Sequence, residues 1–178
     1  MVSLSFFFFF LVAIFSVIGA MRGWAKELLV TFSVVLALFI ITVLERYVPV
    51  VYNSFAIPGS VTQFWMRFSL VIILVFFGYQ TPNFPRIGGN RFVRERLQDS
   101  LLGLFLGAIN GFLIVGTLWY FLHQANYPFG YITPPVKGTE MGDAALTIIN
   151  YLPPRWLGPP VIYFGVAISF LFVIVVFI

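Results

Sequence analysis

Along the chain, charge-free apolar runs alternate with short polar interruptions, and several runs reach the length of a membrane-crossing helix, about 20 residues with a range of roughly 17–25. The first is Met1 to Met21, built on the Phe6 to Phe10 block with Leu11, Val12, Ile14, Phe15, Val17 and Ile18 behind it. The second, Leu28 to Leu44, is stopped by Glu45, Arg46 and Pro49. Only Met21 to Glu27 separates the two, which predicts an antiparallel hairpin with a tight turn. Val48 to Gly59 is the connection to the third span, whose uncharged part, Phe68 to Tyr79, is 12 residues and too short to cross about 30 Å at 1.5 Å per residue. The third span therefore starts near Val61. That start puts Arg67 roughly 9 Å inside the helix, within snorkelling reach of the interface. Pro82, Pro85, Gly88 and Gly89 end it. The fourth span is Ser100 to Leu122, closing on Trp119, Tyr120 and His123, and the fifth is Val161 to Ile178.

Between spans four and five, His123 to Pro159 holds Pro128, Pro134, Pro135, Pro153, Pro154 and Pro159. Inside this segment Met141, Ala144, Ala145, Ile148, Ile149 and Leu152 follow helical spacing, with Thr139 as N-cap and Glu140 and Asp143 in the first turn. Its polar face has no Lys or Arg, so docking on the bundle rather than attraction to anionic lipid holds it. The pattern predicts an all-α membrane protein, a polytopic helical bundle of about five transmembrane helices plus one short amphipathic surface helix. Residues 1–123 form a four-helix core, 124–160 the Pro-rich segment outside the membrane and 161–178 the last span.

Composition agrees: 61% of the 178 residues are hydrophobic and 9% charged, which excludes both a water-soluble domain and a disordered chain. The net charge of +4 carries topology information rather than a nucleic-acid footprint. Arg22, Lys26, Arg86, Arg91, Arg94 and Arg96 lie on one side and Arg46, Arg67, Lys137 and Arg155 on the other. The positive-inside rule then puts the N-terminus outside and the C-terminus inside. With no basic region before the first span and Ile18 at the −3 position of a cut after Ala20, that span reads as retained rather than as a signal peptide. The absence of Cys removes disulfides, thiolate metal sites and a cysteine nucleophile.

Few residues carry candidate chemistry. Gly103, Gly107 and Gly111 recur every four residues on one face of span four, a groove that admits another helix, either within the chain or from a second copy. Asp99 starts that span at the depth of Arg22, Lys26 and Glu27, which suits an ion pair with Arg22 or a proton-relay role. Asn110, near mid-span, needs a hydrogen-bond partner on a neighbouring helix. Arg67 is the intramembrane charge; Glu45 or a phospholipid headgroup satisfies it, or it marks an ion or substrate path. His123, the one histidine, is the one candidate ligand for a pigment or haem and cannot alone build a metal cage or a triad. The Arg86, Arg91, Arg94 and Arg96 run is a topology determinant or a contact for anionic lipid or a cytosolic partner. No phosphate loop, metal-ligand pair or nucleophile with a base is present in the sequence, so no enzyme activity, cofactor or metal is expected.

Arg22-Gly23-x-x-Lys26-Glu27, followed by Asp99-x-x-Leu102-Gly103-x-x-x-Gly107-Ala108-x-x-Gly111, resembles the colicin V production protein family of bacterial inner-membrane proteins over about Phe9 to His123. The resemblance implies a multi-pass inner-membrane location, links to toxin export and envelope stress tolerance, and Arg22, Gly23, Glu27, Asp99, Gly103, Gly107 and Gly111 as the motif residues. Four spans are usual in that family; the fifth expected here, running to Ile178, departs from that pattern and argues against a soluble C-terminal effector. The implied role is a scaffold or secretion-associated protein, its partners membrane lipids, other membrane proteins or its own copies, with no nucleic acid. The alternatives are an accessory subunit of a respiratory or photosynthetic complex and, third, a small transporter or channel, for which Arg67 and Asn110 supply too few polar groups to draw a path.

Overall fold

The computed structural model describes residues 4–55, 57–80 and 93–177, without the side chains of 93–95, 176 and 177. Among them the regular elements are α-helices: α1 (Leu4–Arg22), α2 (Trp24–Tyr47), α3 (Pro49–Ser54), α4 (Val61–Tyr79), α5 (Val93–Gln124), α6 (Glu140–Ile149), α7 (Pro153–Trp156) and α8 (Val161–Phe177). Four of these, α1, α2, α4 and α5, are long and apolar enough to cross a membrane. At 17 residues α8 spans about 25 Å, the lower edge of the range. It runs antiparallel to α2: the Tyr163 ring lies 6.1 Å from Phe39, and the Phe170 ring 6.3 Å from Phe32, two helical turns closer to the start of α2.

The chain forms these helices because its long runs of Leu, Ile, Val and Phe contain no internal proline in the described spans, so the backbone satisfies its own polar groups, as a bilayer interior demands. The stops are local. α4 begins where Ser60 Oγ accepts the Gln63 amide, and Val61 is its first residue, as the length argument requires. α5 begins earlier than the apolar pattern indicates, taking Arg94, Arg96 and Asp99 into the helix; Pro82, Pro85, Gly88, Gly89, Arg86 and Arg91 lie outside the described residues. The connection after α2 contains α3, unanticipated from sequence, with Pro49 at its first turn where a missing N–H costs nothing.

α2 is the central helix. Val30, Val34, Ala37 and Val71 are fully buried between α2 and its neighbours, with Leu113 and Ile114 of α5 and Ile162 of α8 in the same core. After α5 the chain reverses through Asn126 and Tyr127, both at positive φ, with the Tyr127 amide donating to Leu122 O at 3.1 Å. The reversal carries the Pro-rich segment across the bundle end opposite the α1–α2 turn. There Phe129 sits against Phe64 and Trp65, and Trp119 Nε1 donates to the Tyr127 hydroxyl at 3.3 Å.

α6 is the amphipathic helix, its Thr139 Oγ1 accepting the Gly142 amide. Its inward face differs from the stripe counted in the sequence. Gly142, Ala145, Ile149 and then Leu152 are buried, the last three against Phe8 and Trp119, whereas Met141 and Ala144 face outward. The helix sets Ala145 and Ile149 on the aromatic rings of α1 and α5 and Gly142 against Val136 O of its own entry turn, a rotation that leaves Met141 outside.

Candidate functional site

Two polar clusters sit at opposite ends of the bundle. The first gathers around the α1–α2 turn. Gly23, at φ 87°, has a backbone conformation that strains any residue with a Cβ, and it lets the chain reverse between α1 and α2 within one residue. The reversal brings Glu27 back against Arg22: Arg22 Nη1 to Glu27 Oε1 is 2.6 Å, with Glu27 fully buried. The ion pair expected between Arg22 and Asp99 is thus formed with Glu27 instead. Asp99 Oδ1 accepts the Trp24 amide at 3.2 Å, capping α2 from α5, a contact worth about 1 kcal/mol where Gly23 offers no side chain to cap. A Cβ on Gly23 would lie 2.8 Å from that carboxylate.

Asn110, fully buried in α5, reaches the Glu27 carboxylate. Its amide nitrogen donates to Glu27 Oε2 at 2.7 Å and to Glu27 O at 2.9 Å, and its oxygen accepts from Thr31 Oγ1 at 2.7 Å. The neighbour-helix partner expected for Asn110 is therefore present on α2. Arg22 also donates to Tyr79 O at 3.0 Å, its guanidinium 4.3 Å from the Tyr79 ring centre, which ties the end of α4 to the turn. Thr31 and Tyr79 were not singled out from sequence. Thr31 was findable, four residues after Glu27 on one helix face; Tyr79 was not, because only the tertiary fold joins it to Arg22.

Beside this cluster runs the glycine face. Gly103, Gly107 and Gly111 pack against α1 of the same chain: a Cβ on Gly103 would come 2.3 Å from Gly19 O, one on Gly107 2.4 Å from Phe15 O, and one on Gly111 2.8 Å from Phe15 Cβ. Gly19 answers from α1, where a Cβ would meet Gly103 O at 2.2 Å. The α1 backbone fills this face. Two hydroxyls add cross-helix bonds, Ser100 Oγ to Ala20 O at 2.6 Å and Ser16 Oγ to Leu104 O at 3.0 Å. Gly19 was missed in the sequence because its partner at four-residue spacing, Gly23, belongs to the turn rather than to the α1 face.

The second cluster lies at the far end. Arg67 forms a two-pronged pair with Glu45, Nε to Oε1 at 2.6 Å and Nη2 to Oε2 at 2.8 Å, and also donates to Gln124 Oε1. Of the partners weighed from sequence, Glu45 is the one that Arg67 meets. Gln63 Nε2 donates to the same carboxylate at 3.3 Å. His123 is nearby on α5, its ring 5.7 Å from Tyr127 and its buried Nδ1 without a hydrogen-bond partner among the described residues. Among the described residues, no three His, Cys, Asp or Glu side chains converge as a metal site requires. No family model, curated protein or solved structure matches the chain.

Proposed function

We propose that the chain is a non-enzymatic membrane scaffold or secretion-associated protein of the colicin V production type, seated in a bacterial inner membrane and acting through helix contacts with other membrane proteins. The observation that carries this reading is the use made of the motif residues. Arg22, Gly23, Glu27, Asp99, Gly103, Gly107 and Gly111 all meet at the α1–α2–α5 junction and hold it closed, an architectural use of the polar groups, whereas α1 turns Phe6, Phe7, Phe9, Phe10 and Val17 outward. An outward apolar ridge on a locked hairpin suits packing against lipid or a neighbouring helix.

Purification in mild detergent followed by native electrophoresis tests the role. The protein is expected free or with colourless membrane partners; co-migration with stoichiometric haem- or pigment-bearing subunits would overturn the scaffold in favour of an accessory subunit of an energy-transducing complex.

For orientation, the proposal puts Met21 to Glu27 and Gln80 to Asp99 in the cytoplasm and Ala125 to Pro159 outside. Single cysteines at Asn90 and Gly138 check it in intact cells. An impermeant thiol reagent should label the Gly138 position and spare the Asn90 position, and the reverse pattern inverts the topology.

A further inference from the structure

A cleft of about 430 Å³ opens at the end of the bundle that holds Arg67. Its deep wall is apolar, from Leu38 and Ile41 of α2, and its mouth carries Arg46 and Arg67 with the rings of Tyr52 and Tyr120. Leu38 and Arg46 are eight residues apart on α2, so the cleft runs about 12 Å along the helix from the charged mouth into the span. Glu45 neutralises Arg67 through the two-pronged pair. Arg46 has no carboxylate within ion-pair distance among the described residues and is exposed, so the mouth keeps one net positive charge. A cationic, aromatic-edged mouth above an apolar shaft, at the level where the spans end, is built for an amphipathic anion.

We propose that this cleft binds an anionic phospholipid, its phosphate held by Arg46 at the mouth with the spare N–H groups of Arg67 beside it, and part of an acyl chain against Leu38 and Ile41. The chemistry recognised at the mouth is a phosphate group, and the shaft selects a lipid over a soluble phosphate. Glu45 and Gln124 are the positioning residues: they hold the Arg67 guanidinium plane, so a bound phosphate meets a fixed donor at little entropic cost. This inference is independent of the scaffold role.

The experiment uses the full-length protein in mixed micelles, with phosphatidylglycerol or phosphatidylcholine added and bound lipid counted by native mass spectrometry. Wild type should retain phosphatidylglycerol preferentially. Arg46→Ala, an exposed position whose change leaves the core intact, should reduce that preference about fivefold, the scale of one basic residue near a lipid phosphate. Lys137→Ala, an exposed basic change elsewhere, should leave it unaltered. Inorganic phosphate and glycerol phosphate form the second arm and should not compete at concentrations that match the lipid. Competition by either at equal strength makes the cleft a soluble-anion site and overturns the lipid. Equal retention of both lipids, or equal losses in Arg46→Ala and Lys137→Ala, overturns the site itself.

Discussion

Gly107→Leu should unfold well before wild type in detergent, with a loss of at least about 1–3 kcal/mol, the usual cost of overpacking a close contact. The contact here is harder than most. The first added carbon would already stand 2.4 Å from Phe15 O and 2.9 Å from Gly19 Cα, both backbone atoms that cannot rotate away. α1 and α5 must separate to admit it, which also stretches the hydrogen bonds from Ser16 to Leu104 O and from Ser100 to Ala20 O. Thermal unfolding measured beside Leu104→Ala makes the comparison clean, because Leu104 is on the same helix, 44% exposed and off the glycine face. Equal melting of Gly107→Leu and wild type, with unchanged oligomer size, would remove the packing role of the glycine spacing. A variant that melts early yet stays the same size supports the intramolecular groove.

Much of this architecture was readable in the residues. Charge-free runs located α1, α2, α4 and α5 because a helix in lipid must be continuously apolar, and the crossing length alone moved the start of α4 to Val61. The Arg67–Glu45 pair was legible because both charges fall at one depth once the spans are drawn. Contacts that depend on rotation about a turn were not. The partner of Arg22 was assigned by depth, and depth does not distinguish Glu27 from Asp99; the φ of 87° at Gly23 decides between them. The face of α6 failed for a related reason. Hydrophobicity counts reward Met141, whereas the rotation of α6 follows from Gly142 lying against Val136 O of its own entry turn and from Ala145 and Ile149 packing with Phe8 and Trp119.

The largest loss should follow Glu27→Ala, about 3–5 kcal/mol, the cost of breaking a buried pair by removing one partner. Glu27 is fully buried and accepts from Arg22 and Asn110 at once, so its removal takes the carboxylate from a guanidinium that is 18% exposed and one of two acceptors from the buried Asn110 nitrogen, which keeps Glu27 O. A comparison of magnitudes separates charge from hydrogen bonding here. Interhelical hydrogen bonds in membrane proteins average about 0.6 kcal/mol and reach about 1.7, so Asn110→Ala should cost far less than Glu27→Ala. Arg22 keeps Tyr79 O and the Tyr79 ring when Glu27 is lost, which holds the penalty toward the lower end of its range. Replacing both members of the pair, Glu27→Leu with Arg22→Met, should recover part of the loss, since neither charge is then left buried alone. A double-mutant cycle in detergent should therefore show a coupling of about 0.5–3 kcal/mol between positions 22 and 27. Strict additivity of the two single losses would mean that the pair contributes nothing beyond its separate residues, and the junction of α1, α2 and α5 would then rest on the glycine contacts and the hydrogen bonds of Asp99, Ser100 and Asn110.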